Sequence, residues 1–148
     1  MGKDHKLRSK PIAAFALVLI FSLTASLACS NSNADNGTPI TVTEKDFTIS
    51  LGSSTAAAGK LTFVVENDGP STHELVVFKT NLSADALPQA SGVVDEESTD
   101  LQSIDEVEDI KSGKSKKLTV DLQPGRYVLI CNISGHYQLG MHAAFTVN

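Results

Sequence analysis

Three residues with metal-binding side chains are evenly spaced near the C-terminus of the chain. Cys131, His136 and Met141 are each separated from the next by four residues. Thiolate, imidazole and thioether groups are the ligands of copper sites that transfer electrons, in which a Cys and two His form a trigonal set and a Met binds weakly along the axis. The spacing therefore indicates most of a copper site within one loop.

A second imidazole has to come from elsewhere in the chain. The remaining histidines are His5, His73 and His142. His5 lies in a segment typical of export signals, and His142 directly follows Met141, so its side chain should point away from that of Met141 if a strand begins there. His73 is the favoured candidate, because it lies at the start of a predicted strand and could face the end of the fold.

The same donor types permit other chemistry. Zinc also binds Cys and His, but structural zinc sites prefer pairs of Cys. A catalytic Cys–His pair would need an orienting group and an oxyanion site, and His136 shares a short loop with Cys131. A copper oxidase or nitrite reductase would need histidines for a second copper ion, and only His142 remains. Copper binding without catalysis is the favoured interpretation.

The residues around this loop predict an all-β fold. Short β-branched and aromatic runs are bounded by turn residues such as Asn67-Asp68-Gly69-Pro70. These runs lie at 40–42, 47–51, 60–66, 74–78, 117–122, 126–130 and 143–147. The stretch 81–110 is acidic and predicts a long irregular excursion with a short helical turn near 84–87. Six or more short strands predict a β-sandwich.

In its Cys-x4-His-x4-Met loop, Cys131 to Met141, the chain resembles the cupredoxins, especially the plastocyanin-like and sulfocyanin-like proteins. The resemblance covers about residues 38–148. It implies a Greek-key β-sandwich of about seven or eight strands that holds one type 1 (blue) copper ion at one end. The implied ligands are His73, Cys131, His136 and Met141, and the implied function is single-electron transfer rather than enzymatic catalysis. Ser134, where many relatives have proline, and His142 depart from the pattern.

Two other functions remain alternatives. An extracytoplasmic copper carrier or storage module could use similar ligands, although carriers are often rich in Met and the chain beyond residue 28 has only Met141. A copper-free sandwich could serve adhesion or assembly, but this would leave the ligand spacing to coincidence. Retention of copper through many redox cycles would separate an electron carrier from a copper carrier.

The N-terminal segment predicts export. A basic region at 3–10 precedes 17 uncharged residues at 12–28, as in a signal peptide. This stretch is shorter than the roughly 20 residues of a typical membrane span, although an uncleaved anchor remains an alternative. Ser26-Leu27-Ala28-Cys29 resembles the lipobox of bacterial lipoproteins, and simple cleavage after Ala28 is the other option. We expect lipid anchoring at Cys29, a flexible tether at 29–37 and a domain at 38–148.

The two cysteines have separate explanations, since Cys29 follows the export segment and Cys131 belongs to the histidine-containing loop. We therefore expect no disulfide between them, although exported proteins often contain disulfides. The protein is expected in the periplasm or on the outer face of the cell membrane.

Charge limits the partners of the domain. The chain has 12 Lys and Arg and 17 Asp and Glu, of which residues 1–28 hold four and one, so the remainder carries 8 basic and 16 acidic residues. This excess of acid disfavours nucleic acid as a partner. The acidic stretch 95–109 could dock a basic redox protein or could be a solvated loop. We expect a monomer.

Overall fold

Strands make up the regular structure of residues 37–148, which are the residues that a computed structural model describes. The eleven strands are β1 (Thr38–Lys45), β2 (Thr48–Leu51), β3 (Thr55–Ala56), β4 (Gly59–Asn67), β5 (His73–Lys79), β6 (Gln89–Ala90), β7 (Val93–Val94), β8 (Gln102–Ile110), β9 (Ser115–Leu122), β10 (Gly125–Ile130) and β11 (His142–Val147). This part of the chain contains no helix suited to crossing a membrane. The predicted export segment, Cys29 and nearly all of the predicted tether lie outside it.

The larger strands form two sheets, which confirms the predicted all-β sandwich. One sheet has the order β2-β1-β4-β9, the other has the order β3-β11-β10-β5-β8, and β6 and β7 pair separately. Strands β1 and β4 are parallel, whereas β10 is antiparallel to both β5 and β11. The chain crosses to the second sheet for the short strand β3 and returns with β4, and it changes sheet again between β4 and β5, between β8 and β9, and between β9 and β10.

Alternation of side chains builds the core between the two sheets. Ile40 and Val42 of β1 are buried while Thr41 is exposed, as the two-residue period of a strand requires. Phe63 of β4 meets Phe145 of β11 edge to face, with ring centroids 5.5 Å apart. Each such buried apolar side chain contributes about 1.5–3 kcal/mol to folding.

The stretch after β5 is mostly irregular over residues 80–101, as the sequence predicts, but it is packed against the sheet. Leu87, Val94 and Leu101 are buried against Val76 and Phe78, which point away from the core between the sheets. The β5 strand is thus covered on both faces, which explains why Leu75-Val76-Val77-Phe78 is continuously apolar. Residues 80–101, which we call the cover segment, form a second small core with the outer face of the sheet.

Two further differences fall in the same acidic region. The predicted helical turn is a simple turn, in which the Ala86 amide donates to Ser83 O over 3.0 Å. Residues 102–110 form the nine-residue strand β8 instead of irregular chain. Only β5 pairs with β8, and most of the β8 side chains are exposed. Acidic side chains on an edge strand hinder its pairing with other strands.

Candidate metal centre

Strand pairing brings the predicted ligands to one end of the sandwich. Strands β5 and β10 are antiparallel, with Ile130 opposite Val76. The first residue of β5, His73, and the first residue after β10, Cys131, therefore lie at the same end of the sheet. The loop 131–141 runs from Cys131 to the start of β11, and the Cys131 amide donates to Met141 O over 3.1 Å.

The structure places His73, Cys131 and His136 close enough to share one ion. Their ligand atoms all lie within 4.8 Å of one another. Cys131 Sγ lies 3.4 Å from His136 Nδ1 and 3.8 Å from His73 Nδ1. Two ligand atoms about 2.0–2.3 Å from a first-row ion such as zinc, and about 105–120° apart, are separated by about 3.4–3.8 Å. The observed spacing therefore fits a metal ion held between them.

Met141 completes a cluster of two His, one Cys and one Met. Its side chain is fully buried, and its amide donates to His136 O over 3.1 Å. The soft thioether adds to a thiolate and two imidazoles, and this donor set favours copper over magnesium, calcium or manganese. All four residues that the sequence predicted as ligands thus lie in one region of the fold.

His73 is held from its far side. Its Nδ1 faces Cys131, while its Nε2 lies 2.9 Å from Oδ1 of Asp46, the residue that follows β1. Asp46 also accepts a hydrogen bond from the Ser71 hydroxyl. These bonds, that of Ser71 first, lower the pKa of Asp46 and keep it ionised. A carboxylate on the second ring nitrogen fixes the orientation and tautomer of a ligating His.

A tight turn delivers His73 to this position. The side chain of Asn67 donates to Ser71 O and Ile110 O, each over 2.7 Å, and accepts from the Gly69 amide over 2.8 Å. A Cβ atom on Gly69 would lie 2.7 Å from Asp46 Oδ1 and 3.2 Å from His73 Nε2. The turn Asn67-Asp68-Gly69-Pro70 therefore needs glycine because the His73–Asp46 pair packs directly against it.

The Cys131 thiol lies in a dry environment. Burial raises its pKa to about 12, although amide groups of Ile133 and Glu74 donate to the sulfur and oppose this effect. A buried thiol with a raised pKa is a poor nucleophile. A bound cation would deprotonate it, because coordinating thiols lose their proton to the metal. The environment thus fits a metal ligand better than a catalytic nucleophile.

His136 is half-buried, and its surroundings favour the uncharged form of its imidazole. Burial and the nearby His73 lower its pKa, which favours the imidazole form that binds metals. The ring of Phe47 meets it edge on, with centroids 5.1 Å apart. Gly140, with a φ of 116°, turns the chain beside this pair, where a Cβ would lie 3.2 Å from Phe47 O.

The cover segment buttresses the loop 131–141. Asn132 accepts from the Val94 amide over 2.6 Å and donates to Val94 O and to a Glu96 carboxylate oxygen. The Tyr137 hydroxyl donates to Ala84 O over 2.8 Å and accepts from the Leu87 amide over 2.9 Å. Asn132 and Tyr137 were not identified from the sequence, since their role depends on contacts with a segment that was predicted to be irregular.

Two glutamates lie near the centre, and neither was identified from the sequence. The Asn132 amide donates to Glu74 over 3.1 Å. Glu44, on β1, is fully buried, and neither of its carboxylate oxygens has a hydrogen-bond partner. Burial, and then the charge of Glu74, raise the pKa of Glu44 to about 8. The signal in the sequence is the alternation Ile40, Val42, Glu44, which places the carboxyl on the inner face of the strand.

The remaining histidine in the described region lies apart from the ligand group. His142 is the first residue of β11, and its ring packs against that of Tyr137 with centroids 5.2 Å apart. It is absent from the His73, Cys131, His136 group.

An acidic surface lies on the side of the centre where Asn132 meets the cover segment. Glu74 and Glu106 both have a raised pKa, chiefly through burial and then through repulsion from carboxylates that include Glu96 and Glu108. We call the residues Glu74, Glu96, Glu106 and Glu108 the acidic surface. It overlaps the acidic stretch that the sequence singled out.

Comparisons with known proteins agree with this fold. A family model described as a cupredoxin-like domain matches residues 13–147. No curated protein sequence matches the chain closely enough to show a relationship. The dithionite-reduced auracyanin of Roseiflexus castenholzii has a similar structure, with 21% identity over 76% of this chain and 98% of that one and a TM-score of 0.56.

Two further solved structures share the fold. Rusticyanin from Thiobacillus ferrooxidans is 14% identical over 76% of this chain and 79% of its own, with a TM-score of 0.55. Auracyanin A from Chloroflexus aurantiacus, described as a "blue" copper protein, is 17% identical over 74% of this chain and 99% of that one, with a TM-score of 0.50.

Proposed function

Since the chain belongs to the cupredoxin-like family, we propose that it is an exported type 1 copper protein that carries single electrons between membrane or extracytoplasmic redox partners. The observation that carries this proposal is the set of three ligand atoms within 4.8 Å of one another, with the buried Met141 beside them. The fold and the donor set both support one copper ion. The protein acts as a carrier and not as an enzyme.

The proposed ligands have different roles. Cys131, His73 and His136 would hold the copper ion through their thiolate and imidazole groups, and Met141 would add its thioether, which would tune the redox potential. Copper, when bound, supplies a one-electron couple. The protein holds the ligands in place: Asp46 fixes His73, the Cys131–Met141 backbone bond closes the loop, and the cover segment supports it. Ligands that move little between the two redox states favour fast exchange of electrons.

The centre is buried on the side of Cys131, His73 and Met141, each of which is fully buried. His136 is the more accessible ligand, and Leu139 of the same loop is 60% exposed. An electron would therefore enter or leave through the His136 side. The buried ligands also favour a carrier of electrons over a carrier or store of copper, because releasing the ion would require opening the loop.

We further propose a basic redox protein as a partner and the acidic surface as the place where it docks. Complementary charge raises the rate of encounter, and salt weakens this effect. Electron transfer from a basic donor should slow as ionic strength rises, and a Glu106→Gln/Glu108→Gln variant should lose part of this dependence. Equal salt dependence in the variant would rule out docking at this surface.

Lipid anchoring at Cys29 would hold the domain on the outer face of a membrane or in the periplasm. Mass spectrometry of the protein purified from membranes tests this, since an acylated N-terminal Cys29 has a defined added mass. A free N-terminus at Cys29 would indicate simple cleavage, and retention of residues 1–28 an uncleaved anchor.

The test of the central proposal is a visible and electron paramagnetic resonance spectrum of the full chain loaded with Cu(II) and then titrated with ascorbate. We expect intense thiolate-to-copper absorption that bleaches and returns reversibly. Cys131→Ser should abolish this absorption, whereas His142→Ala, beside the same loop, should retain it. A colourless protein, or one that binds only zinc, would overturn the proposal, and ready transfer of copper to an acceptor would favour the copper-carrier alternative.

A further inference from the structure

Glu44 combines complete burial with the absence of any bonding partner. Its exposed fraction is 0%, and both carboxylate oxygens lack a hydrogen bond to any residue in the described part of the chain. Burying a polar group without a partner costs about 1–3 kcal/mol, and burying its ionised form costs more. An apolar side chain would fill this position on β1 more favourably, as Ile40 and Val42 do on the same face.

The charged surroundings of Glu44 all belong to the metal centre or its supports. From β5 it faces Glu74, and it acts electrostatically on Cys131 in the loop after β10. In the turn that follows its own strand, Asp46 binds His73. The strand β4 presents Asn67 opposite the backbone of Glu44, and the Asp68 amide donates to Glu44 O over 2.9 Å. None of these neighbours supplies a positive charge to Glu44, whereas a bound copper ion would.

A one-electron change at the bound metal therefore alters the field at this carboxyl. Reduction of Cu(II) to Cu(I) removes one positive charge from the centre, and charges interact more strongly in a buried site than in water. A nearby carboxylate then holds a proton more tightly when the metal is reduced. The protonated form suits Glu44, which has no partner to stabilise its charge.

We infer that Glu44 takes up one proton when the bound copper is reduced and releases it when the copper is oxidised. The balanced step is Cu(II) with ionised Glu44, plus one electron and one proton, giving Cu(I) with neutral Glu44. The electron comes from the redox donor, and the proton comes from water. This inference rests on the proposed function, and it makes the protein a carrier of a proton together with each electron.

The experiment is the redox potential of the copper-loaded full chain measured by voltammetry across pH 4 to 10. In the wild type, the potential should fall with rising pH by up to about 59 mV per unit, the value for one proton per electron. The fall should be confined to the interval in which Glu44 is ionised in the Cu(II) form and protonated in the Cu(I) form. In Glu44→Gln the potential should no longer fall with pH in this interval. It should stay near the value that the wild type has at low pH.

Glu66→Gln is the matched control, because Glu66 lies on neighbouring β4 with its side chain exposed. It should retain the pH dependence of the wild type. A wild-type potential that does not change with pH, or an equal dependence in Glu44→Gln, would overturn the inference while leaving a reversible blue copper couple intact. Failure to bind copper would instead overturn the proposed function, and the inference with it.

A second measurement decides the matter if Glu44→Gln does not fold. The infrared difference spectrum of the wild type, Cu(I) minus Cu(II), should contain a new protonated carboxyl band. This band should shift when glutamate is labelled with carbon-13 in its side-chain carboxyl. Its absence across the pH interval in which the potential changes would overturn the inference.

Discussion

The two ring nitrogens of His73 face opposite partners: Nε2 lies 2.9 Å from Asp46 Oδ1, and Nδ1 lies 3.8 Å from Cys131 Sγ. His73 is therefore oriented before any ion arrives. The carboxylate of Asp46 selects the tautomer with a hydrogen on Nε2 and a free electron pair on Nδ1, directed towards the centre. Asp46 thus positions a ligand without being one.

We predict that Asp46→Ala lowers copper affinity by about 10- to 100-fold, the usual effect of removing such a supporting carboxylate. Competition with a chelator of known affinity measures the change. Asp68→Ala, an exposed residue of the adjacent turn, should bind copper as the wild type does. Equal affinity in the two variants would show that the turn alone holds His73.

Replacement of Met141 should change the redox potential more than the affinity. Met141→Gln offers an amide oxygen, which is a harder donor than a thioether and favours Cu(II) over Cu(I). We expect the potential to fall by at least about 59 mV, which corresponds to a tenfold change in the relative affinity for the two oxidation states. Leu139→Gln, an exposed change in the same loop, should leave the potential where it is, and an unchanged potential in Met141→Gln would remove Met141 from the axial role.

The link between the loop and the cover segment should be visible in stability. Tyr137→Phe removes a hydroxyl that makes two hydrogen bonds, and it leaves the Leu87 amide without its partner. We expect the free energy of unfolding to fall by about 1–3 kcal/mol. The control is Tyr127→Phe, which loses one bond, from the hydroxyl to Gln123 O, and urea titration should show a smaller loss for it. A larger loss in the control would mean that the cover segment contributes little.

Stability of the metal-free protein should depend on pH through Glu44. Its pKa is raised by burial from 4.5 to about 8, so the folded state binds the proton more tightly than the unfolded state does. This contribution to stability is fully present below about pH 4.5 and is lost as pH rises towards 8, by at most about 1.4 kcal/mol per pH unit. Urea titrations with a chelator at pH 5 and pH 8 should show a smaller pH effect in Glu44→Gln than in Glu66→Gln. The same pH effect in both variants would mean that a group other than Glu44 causes the pH dependence of stability.

The candidate ligands could be predicted from the sequence because their signal is local. Cys131, His136 and Met141 share one loop, so their spacing carries the information without any knowledge of the fold. His73 required one further step, its place at the start of a strand. The strands of the core were predictable for a similar reason, since alternation along a strand such as β4 is set by which face is buried.

The cover segment and β8 were not predictable in the same way. Leu87, Val94 and Leu101 are scattered among polar residues, and their burial depends on the outer face of β5, which is distant in sequence. In β8, only Ile104, Val107 and Ile110 are buried or partly buried. An edge strand makes few apolar contacts, so its sequence carries a weak apolar pattern. The support given by Asp46 and Asn132 likewise depends on which segments the fold brings together, and neither residue belongs to a recognisable motif.

The backbone bond between Cys131 and Met141 makes the ligand loop a unit with a fixed base, which could be exchanged for a loop of another length without disturbing β10 or β11. Asn132 and Tyr137 limit this freedom, because their hydrogen bonds join the loop to Val94 and Ala84, which lie 38 and 53 residues earlier in the chain. In a chimera that receives only the loop of a relative, those hydrogen-bonding groups of the cover segment would lose their partners. The smallest portable module of this protein is therefore the loop together with residues 80–101, two pieces of chain that must be transplanted as one.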